Sequence, residues 1–220
     1  ACWKTYVGRP ETDHFRACAM RVLGSGLSDA SQHEAALSVM EADLSMLRRV
    51  GAPAENILAT QGNLAVTYQD LGRTEKALNM YREVYSGRLK LLGKEHKETI
   101  RAASNSANSL IGLRRFGEAR SVLRKTIPVA QRILGESSDL TLRMRWIYAR
   151  ALYNDPGATL DDLREAVTTL EETERTARRV LGGAHPATET IEHSLLEARA
   201  ALRARSVCDA MAAMTPPGDA

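Results

Sequence analysis

The sequence predicts an all-α array of antiparallel helix pairs, and three repeating markers carry that reading. Ala35, Ala77 and Ala119 are spaced 42 and 42 residues apart, and Ala166 follows after 47. An apolar–glycine pair stands at Val50-Gly51, Leu92-Gly93, Leu134-Gly135 and Leu181-Gly182, its apolar member 15 residues past the alanine each time. A threonine lies six residues beyond the glycine at Thr99, Thr141 and Thr188. Self-similarity at such a period is the signature of stacked supersecondary units.

Within each unit the apolar spacing describes two helices. Leu64, Ala65, Tyr68 and Leu71 recur at i, i+1, i+4 and i+7, which is one helical face. Leu71-Gly72-Arg73 interrupts it, as a glycine at a helix end does. A longer helix then carries Ala77, Tyr81, Val84 and Leu91 and stops at Gly93, and Thr99 is placed to cap the next helix. Ala65, Ala107 and Ala149 on first helices, and Ala77, Ala119 and Ala166 on second helices, let axes approach closely. Tyr68, Leu110 and Leu152, with Tyr81, Leu123 and Leu170, fill the flanking layer.

The expected organisation is residues 1–13 as the end of a preceding repeat and its loop, four helix pairs over 14–188 (14–57, 58–99, 100–141, 142–188), a capping helix over 189–205, and a frayed tail over 206–220. The opening residues, with a shortened loop at Tyr6–Thr12, suggest a chain cut or descended from a longer array. Unit one departs most from the pattern, with Leu23 and Gly26 at the places of Ala65 and Tyr68. Unit four carries a five-residue insertion around Asn154-Asp155-Pro156-Gly157. Pro128 falls inside the second helix of unit three, where it removes a ladder bond.

Composition narrows the function. Hydrophobic residues make up 44%, enough for a sizeable core, and 30 basic side chains nearly balance 27 acidic ones. No apolar stretch is long enough to span a membrane, so no membrane role is expected. Cys2, Cys18 and Cys208 are odd in number and far apart, which excludes a disulfide framework or a cysteine zinc site and suits a cytoplasmic protein. No phosphate loop, nucleophile elbow or His-Glu-x-x-His motif occurs, and the five histidines are scattered; a non-enzymatic chain without cofactor or metal is expected. Residues 101–150 carry a net charge of +7 and residues 151–200 a net −5. The aromatics of the basic stretch do not interleave with its arginines as a base-stacking platform needs, and the adjacent −5 block repels a phosphate backbone, so nucleic acid is not the expected partner.

The run Asn63-Leu64-Ala65…Tyr68…Leu71-Gly72-Arg73…Ala77…Tyr81, followed by Leu92-Gly93-Lys94-Glu95-His96…Thr99, resembles tetratricopeptide (TPR) repeats of the kinesin-light-chain-like subclass. Leu181-Gly182-Gly183-Ala184-His185-Pro186-Ala187-Thr188 is similar to that subclass's inter-repeat loop. The resemblance covers roughly residues 1–202. It implies a right-handed α-solenoid whose first helices line a concave groove, and a protein- or peptide-binding scaffold, with an architectural spacer or the regulatory arm of a larger protein as the alternative.

On the face assigned to the groove, Arg143, Trp146, Arg150 and Tyr153 recur at i, i+3, i+7 and i+10. Subtracting 42 gives Arg101, Ser104, Asn108 and Ile111, and again gives Ala59, Gly62, Val66 and Gln69. Asn63 and Asn105 stand beside the stripe in matching register; the resemblance implies that such asparagines hold the backbone of an extended peptide. The arginines suit carboxylates, and Gly62 and Ser104 are small, so the expected ligand is an extended acidic peptide with one bulky apolar residue.

Overall fold

The structure is a computed structural model that describes residues 8–10 and 14–214. Cys2, the helix end expected over residues 1–6, most of the loop after it, and the chain from Thr215 lie outside the described residues. Among the described residues every regular element is helical: α1 His14–Asp29, α2 His33–Arg49, α3 Ala54–Asp70, α4 Thr74–Leu92, α5 Lys97–Gly112, α6 Phe116–Leu134, α7 Asp139–Tyr153, α8 Leu160–Leu181 and α9 Pro186–Met214. Within each of the two compact units, consecutive helices pack as antiparallel pairs, the stacking expected of an α-solenoid. The chain divides into two compact units between Leu113 and Arg114.

In the first unit, Leu37, Met40 and Leu44 of α2 close on Leu64, Ala65 and Tyr68 of α3 and on Ala77 and Tyr81 of α4. In the second, Leu123, Leu152, Leu163 and Leu170 are buried with Ala119, Ala149 and Ala166. Ala65, Ala77, Ala107, Ala119, Ala149 and Ala166 are all 0% exposed. Each fully buried leucine contributes about 1.5–3 kcal/mol.

Unit one keeps the pattern with a one-residue offset. Ala35 is exposed while Ala36 is 0% exposed, so Ala36 fills the place of Ala77. Gly24, rather than Leu23, fills the place of Ala65: a Cβ there would stand 2.8 Å from Met40 Cγ. Ser31 then takes the place of Gly72, and both have positive φ (58° and 71°), as does Arg114 at the corresponding place of the third unit (58°). A tight turn between paired helices needs this left-handed residue, and only at Gly72 does glycine supply it.

The long helices end at Gly93, Gly135 and Gly182, with φ of 79°, 87° and 90° and ψ of 170°, 159° and 160°. That region is open to glycine alone, which explains why the apolar–glycine marker is strict. The start signal lies three residues before the threonine. His96 Nδ1 accepts from the Glu98 N–H and His185 Nδ1 from the Ala187 N–H, each at 3.2 Å. Thr99 is therefore not the cap; Thr99, Thr141 and Thr188 sit inside their helices and are buried. The insertion in unit four gives α8 an earlier start, 22 residues against 19 in α6, under a capping box of Thr159 and Asp162. Asp155, within the insertion, accepts from Arg120 at 3.0 Å, and Asp162 accepts from the same guanidinium at 3.2 Å. The last helix continues through Met214, beyond the expected end at 205.

Candidate functional site

Within the second unit, α7 presents Arg143, Trp146, Arg150 and Tyr153 on one side, and α9 packs along it. Trp146 Nε1 donates to Ser194 Oγ at 2.8 Å, and Tyr153 OH donates to Glu197 Oε2 at 2.8 Å. Burial raises the Tyr153 phenol above its ordinary pKa, opposed by its hydrogen bond with Ser194 and reinforced by the one to Glu197. The Arg150 guanidinium lies over the Trp146 ring, 4.7 Å from its centroid, a cation–π stack that leaves its N–H edges for hydrogen bonding. Two of the four stripe residues thus bond α9, and one braces the tryptophan.

Arg143 is different. It is exposed, has no ion-pair partner among the described residues, and stands on the rim of a cavity of about 210 Å³. Leu142 and Trp146 of α7, Leu181 at the end of α8 and Ile191 of α9 wall it, with Asp139 on the rim. The lining is almost wholly apolar below that rim. Such a cavity suits a bulky apolar side chain, with a cation beside it for a neighbouring anion.

The matching face of the first unit is closed from within. Ser104 is 0% exposed and offers a ligand no surface, and Ile111 is buried as well. Arg101 is exposed but paired with Glu98. The space left by Gly62 faces a guanidinium of the protein's own: Arg88 Nη2 lies 4.0 Å from where a Cβ would be. Arg88 is buried, and it donates to the Glu98 carbonyl at 3.1 Å and pairs with its carboxylate at 3.0 Å. Burial lowers its pKa, with Glu98 opposing that shift. Asn63 is exposed, Asn105 and Asn108 are half-buried, and none bonds through its side chain among the described residues.

The sequence reading missed Arg88, Ser194, Glu197 and the cavity. One signal for Arg88 was present: it stands where the repeat puts Ala130 and Ala177, both 0% exposed. A long cation in an alanine column needs an acid nearby, and Glu98 is that acid. The acids at the start of α8, Asp161, Asp162 and Glu165, pair with Arg164, Arg120 and Arg124 rather than with Arg143 or Arg150. Among the described residues no three His, Cys, Asp or Glu side chains gather as a metal site, and no helix is long and apolar enough to cross a membrane.

Family models described as tetratricopeptide repeat match residues 15–90 and 99–139, together more than half of the chain. The chain is a tetratricopeptide-repeat array. The TPR fold is shared with a structure described as kinesin-light-chain nearly identical TPR-like repeats of Podosopora anserina. That match has TM-score 0.73 and 20% identity, and covers 88% of this chain and 90% of that one. BtubC (BKLC) from P. vanneervenii matches with TM-score 0.65 and 16% identity over 93% of this chain and 84% of that one. A Rap protein complexed with Competence and Sporulation Factor matches with TM-score 0.56 and 16% identity, covering 87% of this TPR chain and 54% of that one. No curated protein sequence matches the chain.

Proposed function

We propose that this TPR array is a non-enzymatic binding scaffold of the kinesin-light-chain-like subclass, and that it takes an extended acidic peptide carrying one bulky apolar residue. The observation that carries this reading is the unpaired Arg143 beside the apolar cavity walled by Leu142, Trp146, Leu181 and Ile191. The apolar residue of the ligand enters the cavity and a neighbouring carboxylate meets the Arg143 guanidinium. Arg150, stacked on Trp146, offers N–H edges to a second acidic position. The inter-repeat loops support the subclass: Gly93-Lys94-Glu95-His96 and Gly182-Gly183-Ala184-His185 share an N-capping histidine. The odd number and wide spacing of Cys2, Cys18 and Cys208 in the sequence support a cytoplasmic setting.

A single short peptide buries a modest area, so the affinity expected is roughly micromolar, near −8 kcal/mol. Screening a peptide library against the wild type and Arg143→Ala tests the proposal. Enrichment of acidic peptides with a large apolar residue, lost in the variant and weakened at physiological salt, supports it. Equal enrichment by both proteins overturns it. An architectural spacer is the second reading, favoured by the bonds that tie Trp146 and Tyr153 to α9; a library that yields no enriched peptide supports that one.

A further inference from the structure

On another side of α7 lies a second cavity, of about 390 Å³, between α6, α7 and α8. Arg145 lines it, two residues and so about 200° of helical turn from Arg143. Arg145 is largely buried and bridges both carboxylates of the cavity, Glu136 at 3.4 Å and Glu172. Gln131 Nε2 also donates to Glu136, at 3.0 and 3.1 Å. The acids of the cavity are therefore answered within it.

Its two remaining cations are not. Arg175 and Arg179 line the cavity from α8, both exposed and both without an ion-pair partner among the described residues. The sequence pairs Arg175 with Glu171 at i−4, but Glu171 accepts from Arg199 of α9 at 2.7 Å instead. Four residues before Arg179 stands Arg175 itself, a like-charge pair on one helical face that repels. By contrast, Arg178, between them on the next face, has Glu174 at 2.7 Å and Glu192 as well. The neighbouring cation is thus doubly paired while the two at the cavity are left unpaired.

We propose that this cavity is an anion site and that its ligand is a phosphate group, held between the guanidinium forks of Arg175 and Arg179 with Arg145 behind them. Two unpaired like charges one turn apart call for a dianion that both can reach, and arginine matches phosphate oxygens through paired N–H bonds. The two carboxylates of the cavity are held by Arg145 and Gln131, which leaves Arg175 and Arg179 for the incoming anion. The site is independent of the peptide groove, because it uses no residue of the stripe on α7.

The probes are inorganic phosphate and O-phosphoserine, titrated calorimetrically into the whole chain against chloride at matched ionic strength. Saturable binding that weakens at least roughly tenfold in Arg175→Gln/Arg179→Gln, and is unchanged in the surface control Arg203→Gln, supports the proposal. Tighter binding of O-phosphoserine identifies an ester as the source, and tighter binding of inorganic phosphate identifies the free ion. Both substitutions are exposed, and an unchanged helical circular dichroism spectrum confirms that the double variant is folded. No heat beyond that of chloride, or equal binding by the double variant, overturns the proposal.

Discussion

α5 and α7 occupy the same place in successive repeats, and Arg101 and Arg143 occupy the same place on them. Their surroundings differ in kind. Arg101 shares Glu98 with the buried Arg88, and the small residue one turn on, Ser104, is fully buried. Arg143 has no ion partner among the described residues, and the residue one turn on is Trp146, which walls an apolar cavity. The repeat determines which face a residue occupies. Whether a cation on that face is available to a ligand depends on the acids beside it, which the repeat does not govern.

If the two helices are structurally equivalent, their cores should respond alike. Leu110 and Leu152 are matched in register and are 2% and 0% exposed. Leu110→Ala and Leu152→Ala are each expected to cost about 2–5 kcal/mol, read from denaturant midpoints. A loss confined to one of them breaks the equivalence on which the comparison stands.

Removing the acid should open the first face. Glu98→Gln leaves buried Arg88 without its carboxylate while the backbone carbonyl bond remains, and a loss of about 1–3 kcal/mol is expected. The same change releases Arg101, so the variant should gain affinity for acidic peptides at low salt. A stable variant with unchanged binding would show that Glu98 does not hold either cation.

Trp146→Phe separates the tryptophan's wall from its hydrogen bond. The ring surface at the cavity is largely kept and the bond to Ser194 is lost, so thermal unfolding should report a loss of about 1 kcal/mol. Ser194→Ala in the same background should then cost only what its remaining hydrogen bond with Tyr153 provides.

The smallest signal is a slope. Asp43 of α2 is 1% exposed, accepts from Thr60 of α3 at 3.1 Å, and has its other oxygen buried without a partner; Arg21 of α1 supplies the nearby positive charge. Burial raises its pKa, against the opposing effects of Thr60 and Arg21. A carboxyl whose folded pKa is raised binds more protons folded than unfolded. Its contribution is therefore full below the unfolded value of 3.8 and declines as pH climbs through the folded one. Asp43→Asn should flatten that decline above about pH 4, measured by unfolding at a series of pH values; an unchanged slope would place the titration elsewhere.

The small-residue columns made most of the fold legible in the sequence. The repeat puts Ala65, Ala77, Ala107, Ala119, Ala149 and Ala166 at close-contact positions, and each is fully buried. In unit one a one-residue offset places Ala36 and Gly24, rather than their neighbours Ala35 and Leu23, at the close contacts, and spacing alone favours neither member of each pair. The caps were misassigned for a similar reason. Thr99 and Thr188 repeat as faithfully as His96 and His185, although only the histidines accept from backbone N–H groups. The candidate site was less legible than the core. Periodicity gathered Arg143, Trp146, Arg150 and Tyr153 on one face, but not the contacts to Ser194 and Glu197, which belong to a helix over 40 residues away.

The central claim is that Arg143, and not its register partner Arg101, is the cation available to a ligand. The direct measurement is the dissociation constant of one library-selected acidic peptide for the wild type, Arg143→Ala and Arg101→Ala at low salt. Arg143→Ala is expected to weaken binding roughly tenfold, the loss of about 1.4 kcal/mol that one charge-assisted contact provides, with Arg101→Ala close to wild type. Equal losses in the two variants, or a loss in Arg101→Ala alone, would contradict the account.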